Sequence, residues 1–393
     1  MSKVLSRRSL LKSAAAGVAG LAGINSLGAG SSNADGNSLL TTRSILPGLA
    51  TDGFPGDPTT LRGWAERFGF SIGTSNLVNY WSSPPVQDEI FAIQKREYNI
   101  ASIDMGWGKV VPVHAPAQRP QDLFSLDNYA GIWWQLQRAV SGNMKAHGYS
   151  VYWPGYVPVA LTTQAFSRNA LINIVHQRLI DLGAIGANLV DDLTVVSEAY
   201  TNGDPLQAII GDDYVEIMFE FAREAFPSTA LIYTDYANNS VSGPASSRLQ
   251  FTQSIVKRLQ SKHLIDKVGM ETITWCPEAP SKKDMIAAIR SYGLPVMVTE
   301  CSVNIGRVQG TQDQRFGIQA DTYKALLEAA LESGVCNEFA TWRVGDKYNE
   351  WQIDPTLPGA SPDNNPTLFD DDLRPKPAYF AVLQVLRAAA MRR

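Results

Sequence analysis

The stretch Leu294–Ser302, LPVMVTECS, is apolar and β-branched until it reaches Glu300. Val296 and Val298 favour a strand, and an unbroken apolar run suits a strand buried on both faces of a parallel sheet covered by helices. A carboxylate closing such a run is either a cap where the strand leaves the core or a group placed for chemistry. The segment alone leaves both readings open.

Seven more runs of the same kind surround it: FSIGTS (70–75), YNIASID (98–104), YSVYWP (149–154), LTVVSE (193–198), ALIYTDY (230–236), KVGMETI (267–273) and EFATWRV (338–344). Between them lie LINIVHQRLIDLG, DDYVEIMFEFAREAF, RLQFTQSIVKRLQ, KKDMIAAIRSYG and DTYKALLEAALESG, whose apolar residues recur at three- and four-residue spacing, as helices covering a sheet require. Strands alternating with helices in this number predict a (β/α)8 TIM barrel of the α/β class, as a single catalytic domain over 63–393. A doubly wound sheet would show a glycine-rich phosphate turn after its first strand, and GTSNLVNYW is not one.

The chain ahead of that domain reads differently. Residues 35–62 are rich in Ser, Gly, Thr and Pro and are expected to form a linker or arm. Residues 1–34 carry SRRSLLK (Ser6 to Lys12) before the small, apolar run Ala14 to Leu27, too short and Gly/Ala-rich for a stable span. Paired Arg7 and Arg8 resemble a twin-arginine signal peptide, with Leu10 where Phe is commoner. This predicts a bacterial protein, exported to the periplasm or secreted through the twin-arginine machinery.

Composition narrows the function. A formal net charge of −4 gives no electrostatic case for nucleic acid. Cys276, Cys301 and Cys336 lack zinc spacing and allow at most one disulfide, so buried free thiols are expected. His114, His147, His176 and His263 form no ligand set, and no P-loop, nucleotide fingerprint or G-x-S-x-G elbow occurs. No metal or cofactor is expected, and the protein is read as a monomer.

What remains is a rim of acids. Asp104, Glu198, Asp235, Glu271 and Glu300 fall at or near the C-terminal ends of separate predicted strands, the end that carries barrel active sites. Trp107, Trp153, Trp275, Trp342 and Trp351 lie near the same ends. Carboxylates for acid/base and nucleophilic work, with aromatic faces for sugar rings, suit sugar hydrolysis.

At these residues the sequence resembles the retaining xylanases of glycoside hydrolase family 10, over about residues 64 to 390. LTVVSEAYTNG with IIGDDYVEIMFEFAREAFPSTALIYTDYANN is similar to that family's acid/base segment. IDKVGMETI stands where the family has IDGIGLQSH, and GLPVMVTECSV resembles its nucleophile strand. TWRVGDKYNEW, with one extra residue, and LFDDDLRPKPAYFAV resemble its closing motifs. The resemblance implies a retaining endo-glycosidase acting on β-1,4-linked xylan or a related polysaccharide, with Glu198 as acid/base and Glu300 as nucleophile. It further implies sugar contacts from Asp104, Trp107, Tyr149, Trp153, Ser197, Asp235, Tyr236, Glu271, Trp275, Trp342 and Trp351.

The departures are as informative. Ser197 stands where the family has Asn, Glu271 and Ile273 where it has the Gln and His of LQSH, and Tyr149 and Pro154 at the two histidines of GHTLVWH. The family's ENxMKW is barely visible in SIDMGWGK, where Asp104 stands for the Glu. The pair is kept while its recognition shell is rewritten. This leaves two alternatives: a carbohydrate-binding barrel with little hydrolytic activity, and a transglycosylase acting on a bacterial exopolysaccharide.

Overall fold

The computed structural model describes residues 57–75, 84–106, 126–158, 160–201 and 203–392. The predicted signal peptide and most of the predicted linker lie outside the described residues. Eight strands close on themselves in chain order: β1 Ser71–Ser75, β2 Ile100–Asp104, β3 Lys145–Tyr149, β4 Asp192–Ser197, β5 Ala230–Tyr236, β6 Lys267–Trp275, β7 Val296–Asn304 and β8 Cys336–Trp342. Every neighbouring pair is parallel, including β8 with β1. This is a (β/α)8 TIM barrel.

The helix-period stretches form the outer ring. Arg168–Gly186, Tyr214–Ala225, Ala245–Ser261, Lys282–Ser291 and Gln312–Ser333 contain them, each turning its apolar positions toward the sheet. Their ends follow local chemistry. Thr311 accepts from Gln314 N while the Gln314 side chain accepts from Thr311 N, and Gly334 closes that helix at φ 75°. No helix among the described residues is long and apolar enough to cross a membrane.

Two placements differ from the sequence reading. The third strand, predicted over 149–154, runs over Lys145–Tyr149 instead. Past Tyr149 the chain keeps only a bridge to β4, with Val151 N on Thr194 O and Tyr152 N on Val195 O. The aromatic run is therefore mouth lining, and its β-prone composition reflects burial beside the sheet. Within the predicted linker, Leu61 and Arg62 are already buried in a helix starting at Leu61. The Arg62 guanidinium donates to Lys95 O at 3.0 Å and Gly142 O at 2.9 Å.

Bulges on β4 and β7 decide what faces the mouth. On β4, Thr194 pairs with Ile232 but Val196 with Tyr233, leaving Val195 as an extra residue. On β7, Val298 pairs with Met270 but Glu300 with Glu271, leaving Thr299 extra. Met297 packs inside with Ile100, Ile232 and Ala340. Strict alternation from Met297 would turn Glu300 outward; the added residue turns it in.

The opposite end is closed by charge. Lys267 Nζ bridges Asp192 at 2.6 Å and Glu338 at 2.9 Å, and Lys145 Nζ reaches Glu338 at 3.0 Å. Above them His147 is fully buried, with Nε2 3.2 Å from Thr194 Oγ1 and no hydrogen-bond partner on Nδ1. Burial pushes its pKa from 6.5 down to about 4, against the opposing pull of Glu338. Since the folded value lies below the unfolded one, the unfolded chain binds the proton first as pH falls. The stability from neutral His147 is thus complete above about pH 6.5 and is lost from there toward about pH 4, up to about 3 kcal/mol. We expect denaturant midpoints measured near pH 7 and near pH 4.5 to separate more in the wild type than in His147→Gln. Equal separation would show that this histidine does not govern acid stability.

Candidate active site

Glu198 is the first residue past β4, where the chain turns sharply. It adopts φ 53° and Tyr200 adopts φ 62°, left-handed conformations uncommon for residues with side chains. Glu198 N donates to Thr234 O at 3.0 Å, and Thr201 Oγ1 donates to Glu198 O at 2.7 Å. Asp204, 2% exposed, fixes the far side of the loop. Its Oδ1 accepts from Tyr152 OH at 2.5 Å and Leu206 N at 3.0 Å; its Oδ2 accepts from Tyr214 OH at 2.5 Å and Tyr200 N at 3.2 Å. A strained turn held this firmly gives the Glu198 side chain a defined direction.

Glu300 and Glu271 are register partners on β7 and β6, both buried. The Tyr149 hydroxyl forms a very short hydrogen bond to Glu300 Oε1 and lies 3.2 Å from Glu271 Oε1. Ser197 Oγ donates to the same Glu271 oxygen at 2.8 Å. The Glu198 side chain bonds Glu271 as well. Burial, then the charges of Glu300 and Glu198, holds the Glu271 carboxyl well above the usual carboxylate range. Burial likewise raises the Tyr149 phenol, with Glu271 and Glu300 adding to it, so the phenol is a neutral donor.

The rest of the mouth is uneven. Asp104 is buried and accepts from Gly106 N at 3.1 Å. Trp342 lies edge-on to Tyr149, centroids 6.1 Å apart, and donates its indole N–H to Glu350 at 3.0 Å. Trp275 and Trp351 meet edge-to-face at 5.4 Å, but Arg307 sits 4.3 Å over the Trp275 ring and covers one face. Trp153 is 39% exposed; Tyr236 is 41% exposed but has Arg248 4.5 Å over its ring. Trp107 lies outside the described residues. Asp235 differs from the sequence expectation. It is fully buried, with Oδ1 taken by Arg248 Nε at 2.8 Å and Oδ2 by Thr252 at 2.8 Å and Tyr233 at 3.0 Å. That carboxylate serves an internal ion pair, leaving no oxygen turned to a sugar.

Arg343 escaped the sequence reading. It follows β8 at φ 68°, is salt-bridged to Glu350, and faces Asp104 and Glu300. Burial lowers its pKa to about 10 against the pull of those two carboxylates, so it stays a cation. The signal available was the cation inside TWRVGDKYNEW, directly after the strand-end tryptophan. Asp204 was also missed, since its role depends on tyrosines 52 and 10 positions away in sequence.

Carboxylates converging with aromatics at the C-terminal mouth of a closed barrel define a glycoside hydrolase. Residues 118–385 match Glycosyl hydrolase family 10, and the chain belongs to that family. Among its relatives is the endo-1,4-beta-xylanase B of Thermotoga neapolitana, 26% identical over 85% of this chain and 93% of that protein. Another is an exoglucanase of Acetivibrio thermocellus, 29% identical over 69% of this chain but 26% of that much longer protein. The crystal structure of xylanase 10B from Thermotoga petrophila RKU-1 in complex with xylobiose shares the fold. It superposes with a TM-score of 0.73 at 23% identity, covering 84% of this chain and 98% of that one. The protein is a xylanase-like glycoside hydrolase.

Removing the Asp204 carboxylate tests the loop. Asp204→Ala removes the acceptor of two buried tyrosine hydroxyls and a helix cap, and we expect a loss of about 3 kcal/mol in a denaturant titration. Asp204→Asn, which keeps an acceptor, should lose less. A stability unchanged in Asp204→Ala would remove this residue from the account of how Glu198 is held.

Proposed function

We propose that the protein is a retaining endo-glycosidase that cleaves β-1,4-linked xylan or a related polysaccharide by double displacement. Glu198 is the general acid/base and Glu300 the nucleophile. One observation carries the assignment: Glu271 is the register partner of Glu300, shares the Tyr149 hydroxyl with it and is bonded to Glu198, so the two carboxyls lie at one patch of the mouth. A retaining pair must stand about 5–5.5 Å apart across the scissile bond.

In the first step Glu198 gives its proton to the leaving oxygen while the Glu300 carboxylate bonds to the anomeric carbon. The aglycone departs as an alcohol, leaving a glycosyl ester on Glu300. Glu198, now a carboxylate, takes a proton from water as that water attacks the same carbon. The sugar leaves with its original anomeric configuration and Glu300 returns to its anion. The hydrogen bond from Tyr149 and the facing charge of Arg343 favour and aim the Glu300 carboxylate.

Xylan as substrate is supported by the names of the relatives, several of them endo-1,4-beta-xylanases. Around the pair, Asp104, Tyr149, Trp153, Ser197, Tyr236, Glu271, Trp275, Trp342 and Trp351 are the sugar-facing set, with Trp107 a candidate from the sequence alone; Asp235 is not among them. Paired Arg7 and Arg8 support export of a bacterial protein through the twin-arginine route, to act as a monomer on polymer outside the cytoplasm.

The test is product release from β-1,4-xylan, arabinoxylan, β-glucan and bacterial exopolysaccharides. We expect xylan or arabinoxylan to be cut and Glu300→Ala to lower kcat by about 10⁴-fold or more. Binding to a polymer without products from any would overturn hydrolysis. Proton NMR of the first product should show retained configuration, and inversion would remove Glu300 from the nucleophile role.

A further inference from the structure

The Tyr149 hydroxyl carries one proton yet lies within bonding distance of two carboxyl oxygens, Glu300 Oε1 and Glu271 Oε1. The phenol donates to Glu300, which commits its one proton there. A bare Glu271 Oε1 at 3.2 Å would have to share the phenol's single proton with Glu300, whereas a protonated one gains a full hydrogen bond by donating to the phenol oxygen. Two bare lone pairs facing each other in a buried site would repel.

Every element around Glu271 argues the same way. Strand β2 presents Asp104, β3 Tyr149, β4 Ser197 with Glu198 beyond it, β5 the register partner Tyr236, and β7 Glu300. Among the described residues, Arg343 past β8 faces Glu300 and Asp104 and is salt-bridged to Glu350, while Arg248, over the Tyr236 ring, is held by Asp235. Three carboxyl groups packed so closely, two of them buried, cannot all be ionised.

We propose that Glu271 is carried as a neutral carboxylic acid that donates its proton to Tyr149 oxygen, completing a donor chain Glu271→Tyr149→Glu300. It is a positioning residue: it acts on the nucleophile through the phenol. This rests on the Glu300 assignment above and adds a protonation state to it.

The charge balance over the reaction follows. In the free enzyme the three carboxyls hold two protons, on Glu198 and Glu271, and one negative charge, on Glu300. Glycosylation consumes that charge in the ester bond while Glu198 loses its proton to the leaving alcohol. The cluster again holds one charge, now on Glu198. Hydrolysis returns the proton to Glu198 and the charge to Glu300. A second ionised carboxylate at Glu271 would raise the cluster to two charges throughout and oppose the loss of the Glu198 proton.

Infrared difference spectroscopy of the whole protein at neutral pH reads the state directly. Wild type minus Glu271→Gln should show a carboxylic-acid carbonyl stretch; only a carboxylate band there overturns the proposal. Tyr149→Phe provides a second reading. It should keep the acid band but shift it, because the acceptor is gone; an unshifted band overturns the donor chain. Kinetics then separate a positioning role from mere packing. Glu271→Ala should lose about 10²-fold or more in kcat/KM, with Glu271→Gln, a neutral donor of the same shape, recovering at least about tenfold of it. An alanine variant as active as the glutamine one overturns the role. The infrared result stands whether or not any polymer is cut, so failure of the glycosidase reading would be seen separately, as wild type inactive on every substrate.

Discussion

Negative charge crowded into a dry barrel mouth is the constraint on which the site depends. In the proposed reaction Glu300 attacks as an anion and Glu198 begins with a proton, and Glu271 lies beside both with almost no access to water. Coulomb repulsion at such separations outweighs what a half-solvated rim can screen. The structure answers with donors: Tyr149 on Glu300, Ser197 on Glu271, and a half-buried Arg343 facing Glu300 and Asp104. Arg343 is in turn salt-bridged to Glu350, so one fixed cation is shared among several acids.

That arrangement needs the right residues pointing inward, and the bulges on β4 and β7 supply this. Neither bulge is legible in the sequence. LTVVSE and VMVTECS read as regular strands, and period-two alternation from Met297 would have sent Glu300 to the helix side. Glu300 was found from resemblance and from its place at the end of an apolar run, for reasons unrelated to the backbone device that aims it. The eight strands and the helix ring were legible because each segment agrees with its local pattern. The third strand was misplaced because YSVYWP and KAHGY compete for one position. The aromatic, β-prone segment looks more strand-like, yet the barrel uses Lys145, half exposed at its closed end in the charge network, and His147, buried beside Thr194. Interior polar residues of a barrel are where composition misleads.

The rim acids divide in the same way. Five carboxylates near strand ends suggested one function, but an end position says only where a residue is, not where its oxygens go. Asp235 follows Thr234 by one step, and that step turns it away from the mouth into Arg248, Thr252 and Tyr233. Burial raises its pKa to about 6 even so, a reminder that perturbed carboxyls occur in internal ion pairs as well as in active sites. What separates Glu271 from Asp235 is the neighbour: a cation holds one, and other acids surround the other.

The rewritten shell is coherent when its changes are taken together. By resemblance, Tyr149 stands at a histidine of the family pattern and Glu271 at a glutamine. An imidazole beside the nucleophile can carry a positive charge; a phenol cannot near neutral pH. Replacing it removes a potential counter-ion from Glu300, and placing a carboxyl where an amide stood adds a potential anion. Each change alone would worsen the electrostatics. Together they are compatible only if the new carboxyl stays protonated, because a protonated carboxyl has the donor and acceptor of the amide it replaces and no charge. The hydroxyl of Tyr149 then stands between two oxygens with one proton going each way. Arg343, placed just past β8 where it faces Glu300, restores the positive charge that the phenol lacks. Under the proposed mechanism the site thus keeps the charge balance that a retaining pair needs with a different set of side chains, which is how such a pair can persist while nearly everything around it changes.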